Sequence, residues 1–163
     1  MSLTQDMTTA APVADPAPRP DMARPPRGAE LEIHIFSDPA HIPCVISLLD
    51  ERAVTAGVIA ADDEEFRMSL REALINAMLH GNKGEHVCRV VIRAEISAAR
   101  ARVSIADEGA GFDPCAVPDA RAPDRLLLPT GRGILLMRHY MDEVRWNAAG
   151  NEVTLVRYTR DGK

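Results

Sequence analysis

The sequence predicts an α+β fold, a two-layer α/β sandwich with helices on one face of a mostly antiparallel sheet. Three observations carry that expectation. Several short segments alternate apolar and polar residues with the period of a strand, and two longer ones carry apolar residues at helical spacing. Their order is strand, helix, helix, strands, loop, helix, strands, which stacks helices on one side of the sheet.

The first strand is "ELEIHIF", where Leu31, Ile33 and Ile35 alternate with Glu32 and His34. "SDPAHIPCVISLLDERAVTAG" then predicts a helix with Ser37 or Asp38 as N-cap, Pro39 just inside, an irregularity near Pro43 and Gly57 as its stop. A second helix starts at Asp62 or Asp63, places Glu64 and Glu65 in its first turn and runs to about His80, before Gly81, Asn82 and Gly84 break it. "HVCRVVIRAEI" and "ARVSIAD", separated by "SAAR", predict a hairpin. Cys88, Val90, Ile92, Ala94 and Ile96 share one face of its first strand; Ala101, Val103, Ile105 and Asp107 share one face of its second. The following stretch, "EGAGFDPCAVPDARAPDRLLLPTGRG", is too long for an ordinary connection and predicts a functional loop. A short helix in "GILLMRHYMDEV" and two strands in "EVRWNAAGNEVTLVRY", turned at Ala149, Gly150 and Asn151, complete the chain.

A chain of 163 residues accommodates one domain and a tail. Residues 1–28 hold six prolines among Ala, Thr and Asp and predict a disordered tail, leaving residues 29–163 as the folded unit. Aromatic residues make up only 4%, so the core falls to Val, Ile, Leu, Ala and Met. The net charge of −5, with no Lys/Arg-rich face, argues against direct binding of nucleic acid. Cys44, Cys88 and Cys115 are widely spaced and predict reduced, buried thiols. The chain opens without a basic segment leading into an apolar one, and apolar runs such as "CVISLL" fall far short of the roughly 18 residues of a membrane span. A cytoplasmic protein with no membrane contact is expected.

The second helix raises the functional question. At 100° per residue, Phe66, Leu70, Ala73 and Ala77 form one apolar stripe and Met68, Ile75 and Leu79 another. Between them lie Glu65, Ser69, Glu72, Asn76, His80 and Lys83, while Glu64, Arg67, Arg71 and Asn82 make a solvent face that Leu74 and Met78 blur. A polar line bounded by apolar stripes fits the wall of a wet cleft; it also fits a helix beside a loosely packed neighbour. His80 alone fits a cation at a helix C-terminus equally well.

Asp107 has the parity of Val103 and Ile105, so its carboxylate points toward the core side and needs a donor. Shaping the "DEGAG" turn is one use for it, and receiving an exocyclic amine of a ligand is another. Gly109, Gly111, Gly131 and Gly133 bracket the long loop, where glycine lets backbone approach a ligand, although neither pair has the spacing of a familiar phosphate loop. Gly133 opens the next helix, whose free N–H groups attract phosphate. The amide oxygen of Asn76 can join phosphate oxygens and waters around Mg²⁺. Glu72, one turn away, can take a proton from an attacking hydroxyl.

Taken in order, "EALINAMLHGN", "DEGAGFDP", "GRGILLMRHYMDEV" and "GNEVTLVRY" resemble the motif boxes of the GHKL (Bergerat-fold, HATPase_c) superfamily. Within it the chain is most similar to the anti-sigma-factor serine kinase branch typified by RsbW and SpoIIAB. The resemblance covers about Glu30 to Thr159 and is specific as a set, since no single box is diagnostic. It implies a cleft for ATP and Mg²⁺, with Asp107 receiving the adenine amine, Asn76 holding the metal and Glu72 as activating base. The loop from Phe112 to Thr130 corresponds to the family's ATP lid, with Gly109, Gly111, Gly131 and Gly133 as hinges and phosphate contacts. His80 belongs to the same box as Asn76. Lys83, Arg125, Thr130 and Arg132 are further phosphate candidates, chosen for chemistry and location.

The resemblance further implies a protein-serine kinase that phosphorylates a STAS-domain antagonist and, in its other state, holds a sigma factor through its own homodimer. Two alternatives remain open at this point. One is a nucleotide-gated binding module without efficient transfer; the other is a stand-alone histidine-kinase-like ATPase domain, which would need a separate dimerisation protein, since no helical hairpin with a phosphoacceptor histidine precedes it.

Overall fold

The computed structural model describes residues 31–113 and 132–160. Strands β1 (Leu31–Phe36), β2 (Arg89–Ile96), β3 (Arg100–Asp107), β4 (Glu143–Trp146) and β5 (Glu152–Tyr158) form one sheet in the order β1-β2-β3-β5-β4, every neighbouring pair antiparallel. The helices are α1 (Ile42–Thr55), α2 (Glu64–Ile75) and α3 (Gly133–Tyr140). The Pro-rich tail, Cys115 and most of the long loop lie outside the described residues.

Register aligns Ile33, Ile92, Ile105, Val153 and Trp146 in one row across all five strands. This row and its neighbours face the helices. Leu49 of α1 and Phe66, Leu70 and Leu74 of α2 pack there with no accessible surface, each such side chain stabilising the fold by roughly 1.5–3 kcal/mol. The opposite face mixes polar and apolar side chains: Val91, Ala106 and Val156 are buried on it, Arg93 Nε donates to Glu32 Oε2 at 2.9 Å, and the Ser104 and Thr154 hydroxyls lie 2.8 Å apart.

Local chemistry sets the helix starts. Asp38 caps a 3₁₀ turn, Pro39–His41, by accepting from the Ala40 N–H at 2.9 Å, and α1 follows directly, which accounts for the irregularity expected near Pro43. Asp63 caps α2 by accepting from the Phe66 N–H at 2.9 Å, a bond that stabilises by about 1 kcal/mol. Its other oxygen receives Arg157 Nη2 at 2.9 Å, while the same nitrogen reaches Glu65 Oε2 at 3.2 Å. Arg157 is buried and also donates to the Tyr140 carbonyl, so one guanidinium ties β5 to the start of α2 and the end of α3.

Several expectations about individual side chains are corrected. Leu74 and Met78, which the helical wheel placed toward solvent, are fully buried because α1 and the sheet cover that side of α2. Met68 and Leu79, expected in a second apolar stripe, are 41% and 51% exposed, since no described element covers them. Cys44 is exposed and Cys88 half-buried rather than sequestered, as Cys44 lies on the outer side of α1 and Cys88 precedes β2. Among the described residues, no helix is long and apolar enough to cross a membrane.

Candidate active site

Beyond Ile75 the second helix changes its winding. From Asn76 to Gly81 it continues as a π turn, and the Asn82 N–H bonds to the Ala77 carbonyl at 2.8 Å, five residues back. Lys83 and Gly84 then adopt positive φ (53° and 72°) and end it. The extra residue per turn rotates everything after Ile75 away from the 100° expectation. Asn82, expected in solvent, is thereby brought inside and is buried.

The polar line divides into two. Its first half is structural: the fully buried Ser69 hydroxyl donates to the Glu65 carbonyl at 2.8 Å, and the Glu65 carboxylate pairs with Arg157. Its second half, Glu72, Asn76, His80 and Lys83, lines a cavity of about 570 Å³. Ile105, Asp107, Val153 and Trp146 supply the sheet side of that cavity, and Gly133, Ile134 and Met137 of α3 supply another wall.

Asp107 is 7% exposed at the end of β3. Burial pushes its carboxyl up to about 6, opposed by the Gly109 N–H, which donates to Oδ1 at 2.8 Å. Two glycines make the site compact. A β-carbon at Gly109 would lie 2.2 Å from the Gly81 carbonyl oxygen, and one at Gly133 would lie 2.6 Å from Glu72 Oε2 and 3.4 Å from Asn76 Nδ2. The start of α3 is therefore pressed against the two side chains that the sequence singled out for metal and proton chemistry.

Residues 35–157, well over half of the chain, match the family described as histidine kinase-like ATPase domain. The chain belongs to this family.

Within the histidine kinase-like ATPases its similarity is to the anti-sigma-factor kinase branch. It is 29% identical over 136 residues to the serine-protein kinase RsbW of Bacillus subtilis, covering 78% of this chain and 84% of that one. Identity to the RsbW of Bacillus velezensis is 28% over the same length and the same shares. Against the anti-sigma F factor of Halalkalibacterium halodurans it is 34% over 85 residues, 50% of this chain and 57% of that protein, so this match spans little more than half of the relative's length.

In this ATPase-family cleft, Glu72, Asn76, His80, Lys83, Asp107, Gly111, Arg132 and Gly133 all line one cavity, and Gly109 stands beside it as the donor to Asp107. Arg125, Thr130 and Gly131 fall outside the described residues. The residues present fit an adenine nucleotide: Ile105, Met137 and Val153 give apolar walls for a base, and the buried Asp107 carboxylate gives an acceptor for its amine. Among the described residues no group of three or more His, Cys, Asp or Glu could hold a metal ion. A Mg²⁺ here would depend on the Asn76 oxygen together with oxygens of the nucleotide and water, which suits a hard cation that retains much of its shell.

Sequence reasoning missed the apolar walls at Met137 and Trp146 and the buried amides of Asn82 and Asn151. Trp146, the only tryptophan, had strand parity as its one available signal. Asn82 and Asn151 fall inside the boxes "EALINAMLHGN" and "GNEVTLVRY", but nothing in their local spacing marks either as buried.

Proposed function

We propose that this chain is an ATP- and Mg²⁺-dependent protein-serine kinase and anti-sigma factor, which phosphorylates a STAS-domain antagonist and, in its other state, holds a sigma factor through a homodimer. The observation that carries the ATP reading is the convergence of a buried carboxylate, Asp107, with Glu72 and Asn76 in one apolar-walled cavity. The names of the relatives, serine-protein kinase and anti-sigma F factor, support a serine as the acceptor and a sigma factor as a partner.

Phosphoryl transfer rests on positioning and on electrostatic stabilisation. In this reading Asp107 accepts from the adenine amine and fixes the nucleotide's depth, with Ile105 and Val153 against the base. Asn76 would hold the metal through its amide oxygen, and a bound Mg²⁺ would supply neutralisation of charge on the phosphates. Glu72, carried on a helix and half-buried, accepts the serine hydroxyl proton as the oxygen attacks the γ-phosphorus and the bond from that phosphorus to the β,γ-bridging oxygen breaks, leaving ADP. Lys83 and Arg132 line the same cavity and supply positive charge toward the phosphates, with His80 beside them in the lining; Arg125 and the Thr130 hydroxyl are the further phosphate candidates of the sequence.

Incubation with Mg-ATP and a candidate STAS protein tests the proposal. Phosphoserine is expected on the partner. Glu72→Gln should retain ATP and lose transfer, and Asn76→Ala should lose Mg²⁺-dependent binding. ATP binding without transfer to any STAS protein would leave a nucleotide-gated binder instead.

A further inference from the structure

The backbone that carries Asp107 is held by two buried amides from distant parts of the chain. Asn82 is 3% exposed. Its Nδ2 donates to Ser37 Oγ at 2.6 Å and to the Arg89 carbonyl at 2.9 Å, and its Oδ1 accepts from the Glu108 N–H at 2.8 Å. Both of its N–H groups and its oxygen are therefore engaged.

Asn151, 4% exposed, grips the same turn from the β4–β5 side. Its backbone carbonyl accepts from the Asp107 N–H at 2.9 Å, and its Nδ2 lies 3.4 Å from both the Asp107 and the Gly109 carbonyl oxygens. Its Oδ1 accepts from Asn147 Nδ2 at 2.8 Å, and Asn147 Oδ1 accepts in return from the Asn151 N–H at 3.1 Å. The carboxylate of Asp107 is itself oriented by the Gly109 N–H. Whatever holds residues 107–109 thus aims that carboxylate.

We propose that Asn82 and Asn151 are positioning residues that set the base specificity of the cavity: by clamping the 107–109 backbone from two sides, they point Asp107 at an exocyclic amine and against a purine that carries a carbonyl there. This deepens the ATP reading and rests on it. The physical ground is that a carboxylate discriminates donor from acceptor only while its position is fixed, and a buried polar pair left unmatched is costly. A turn free to shift by about 1 Å would accommodate either base.

Isothermal titration of the full chain with Mg-ATP and Mg-ITP tests this, because ITP replaces the amine with a carbonyl and leaves the phosphates unchanged. The wild-type chain is expected to prefer ATP. Asn82→Ala should weaken ATP by about tenfold while ITP moves by less than about twofold, collapsing the ratio. If that variant does not fold, Asn147→Ala, at an exposed residue that braces Asn151, should lower the ratio by at least about threefold. Equal weakening of both nucleotides, or an unchanged ratio in a folded variant, overturns the clamp and leaves the ATP site standing. A wild-type chain that binds neither nucleotide overturns the ATP reading and this inference with it.

Discussion

Gly81 packs against Asp107 so closely that a β-carbon at position 81 would lie 2.2 Å from the Asp107 carboxyl carbon. The helix that bears Glu72 and Asn76 therefore ends in contact with the carboxylate at the end of β3, and a hydrogen is all that the space admits. Gly81→Ala should displace that carboxylate, weakening ATP by about tenfold or more and lowering stability by about 1–3 kcal/mol. Calorimetric titration and urea denaturation measure the two effects separately. Wild-type ATP affinity in a folded Gly81→Ala protein would remove Asp107 from base recognition.

The Asp107 carboxyl, raised by burial to about 6 from an ordinary 3.8, gives two pH dependences of opposite sign. Because the folded state holds this proton more tightly than the unfolded state, Asp107 disfavours folding above about pH 6, and its contribution improves as pH falls from about 6 to about 4. Nucleotide binding runs the other way. The ionised carboxylate is the stronger acceptor for an amine, so ATP affinity should decline as pH drops below about 6. Titrations across this range should show that decline in the wild-type chain and a flat, weaker profile in Asp107→Asn; parallel profiles would contradict the assignment.

Gly133→Ala places a methyl group 2.6 Å from Glu72 Oε2. The atom it meets ends a rotatable side chain, so the fold should persist while the carboxylate moves. Transfer to serine should slow by between about tenfold and a hundredfold, with ATP affinity changing much less. Steady-state kinetics separates kcat from KM. A proportional loss in both would point to damage at the binding step rather than at the base.

Met78 and Met68 provide a matched pair on one helix, at 0% and 41% exposure. Met78→Ala should cost about 2–5 kcal/mol of stability and Met68→Ala less than about 0.5. Denaturant midpoints decide the matter. Equal effects would mean that the side of α2 facing α1 has been assigned wrongly.

Much of the architecture was legible in the sequence. Apolar–polar alternation located β1 and β3 and, less strictly, β2; of Ser37 or Asp38 and of Asp62 or Asp63, the structure selects Asp38, which caps the 3₁₀ turn ahead of α1, and Asp63, which caps α2. The parity of Asp107 with Val103 and Ile105 predicted its inward direction, and its burial agrees. Helical spacing put Glu65, Ser69, Glu72, Asn76, His80 and Lys83 on one line; the last four line one cavity and the first two do not. The same wheel failed for Leu74 and Met78, because it shows which residues share a side and not which side a neighbour covers.

By itself, then, the sequence determined the elements, their order and the residue types available to the cleft, since alternation, capping and helical spacing are properties of adjacent residues. The tertiary structure alone decided that the helix unwinds into a π turn, that Gly81 meets Asp107, and that Asn82 becomes an interior clamp. Asn82 finds its partners at Ser37 and Glu108, 45 and 26 positions away in the chain. The stabilisation of a buried amide depends on what the folded chain brings to it, and no local pattern of residues encodes that.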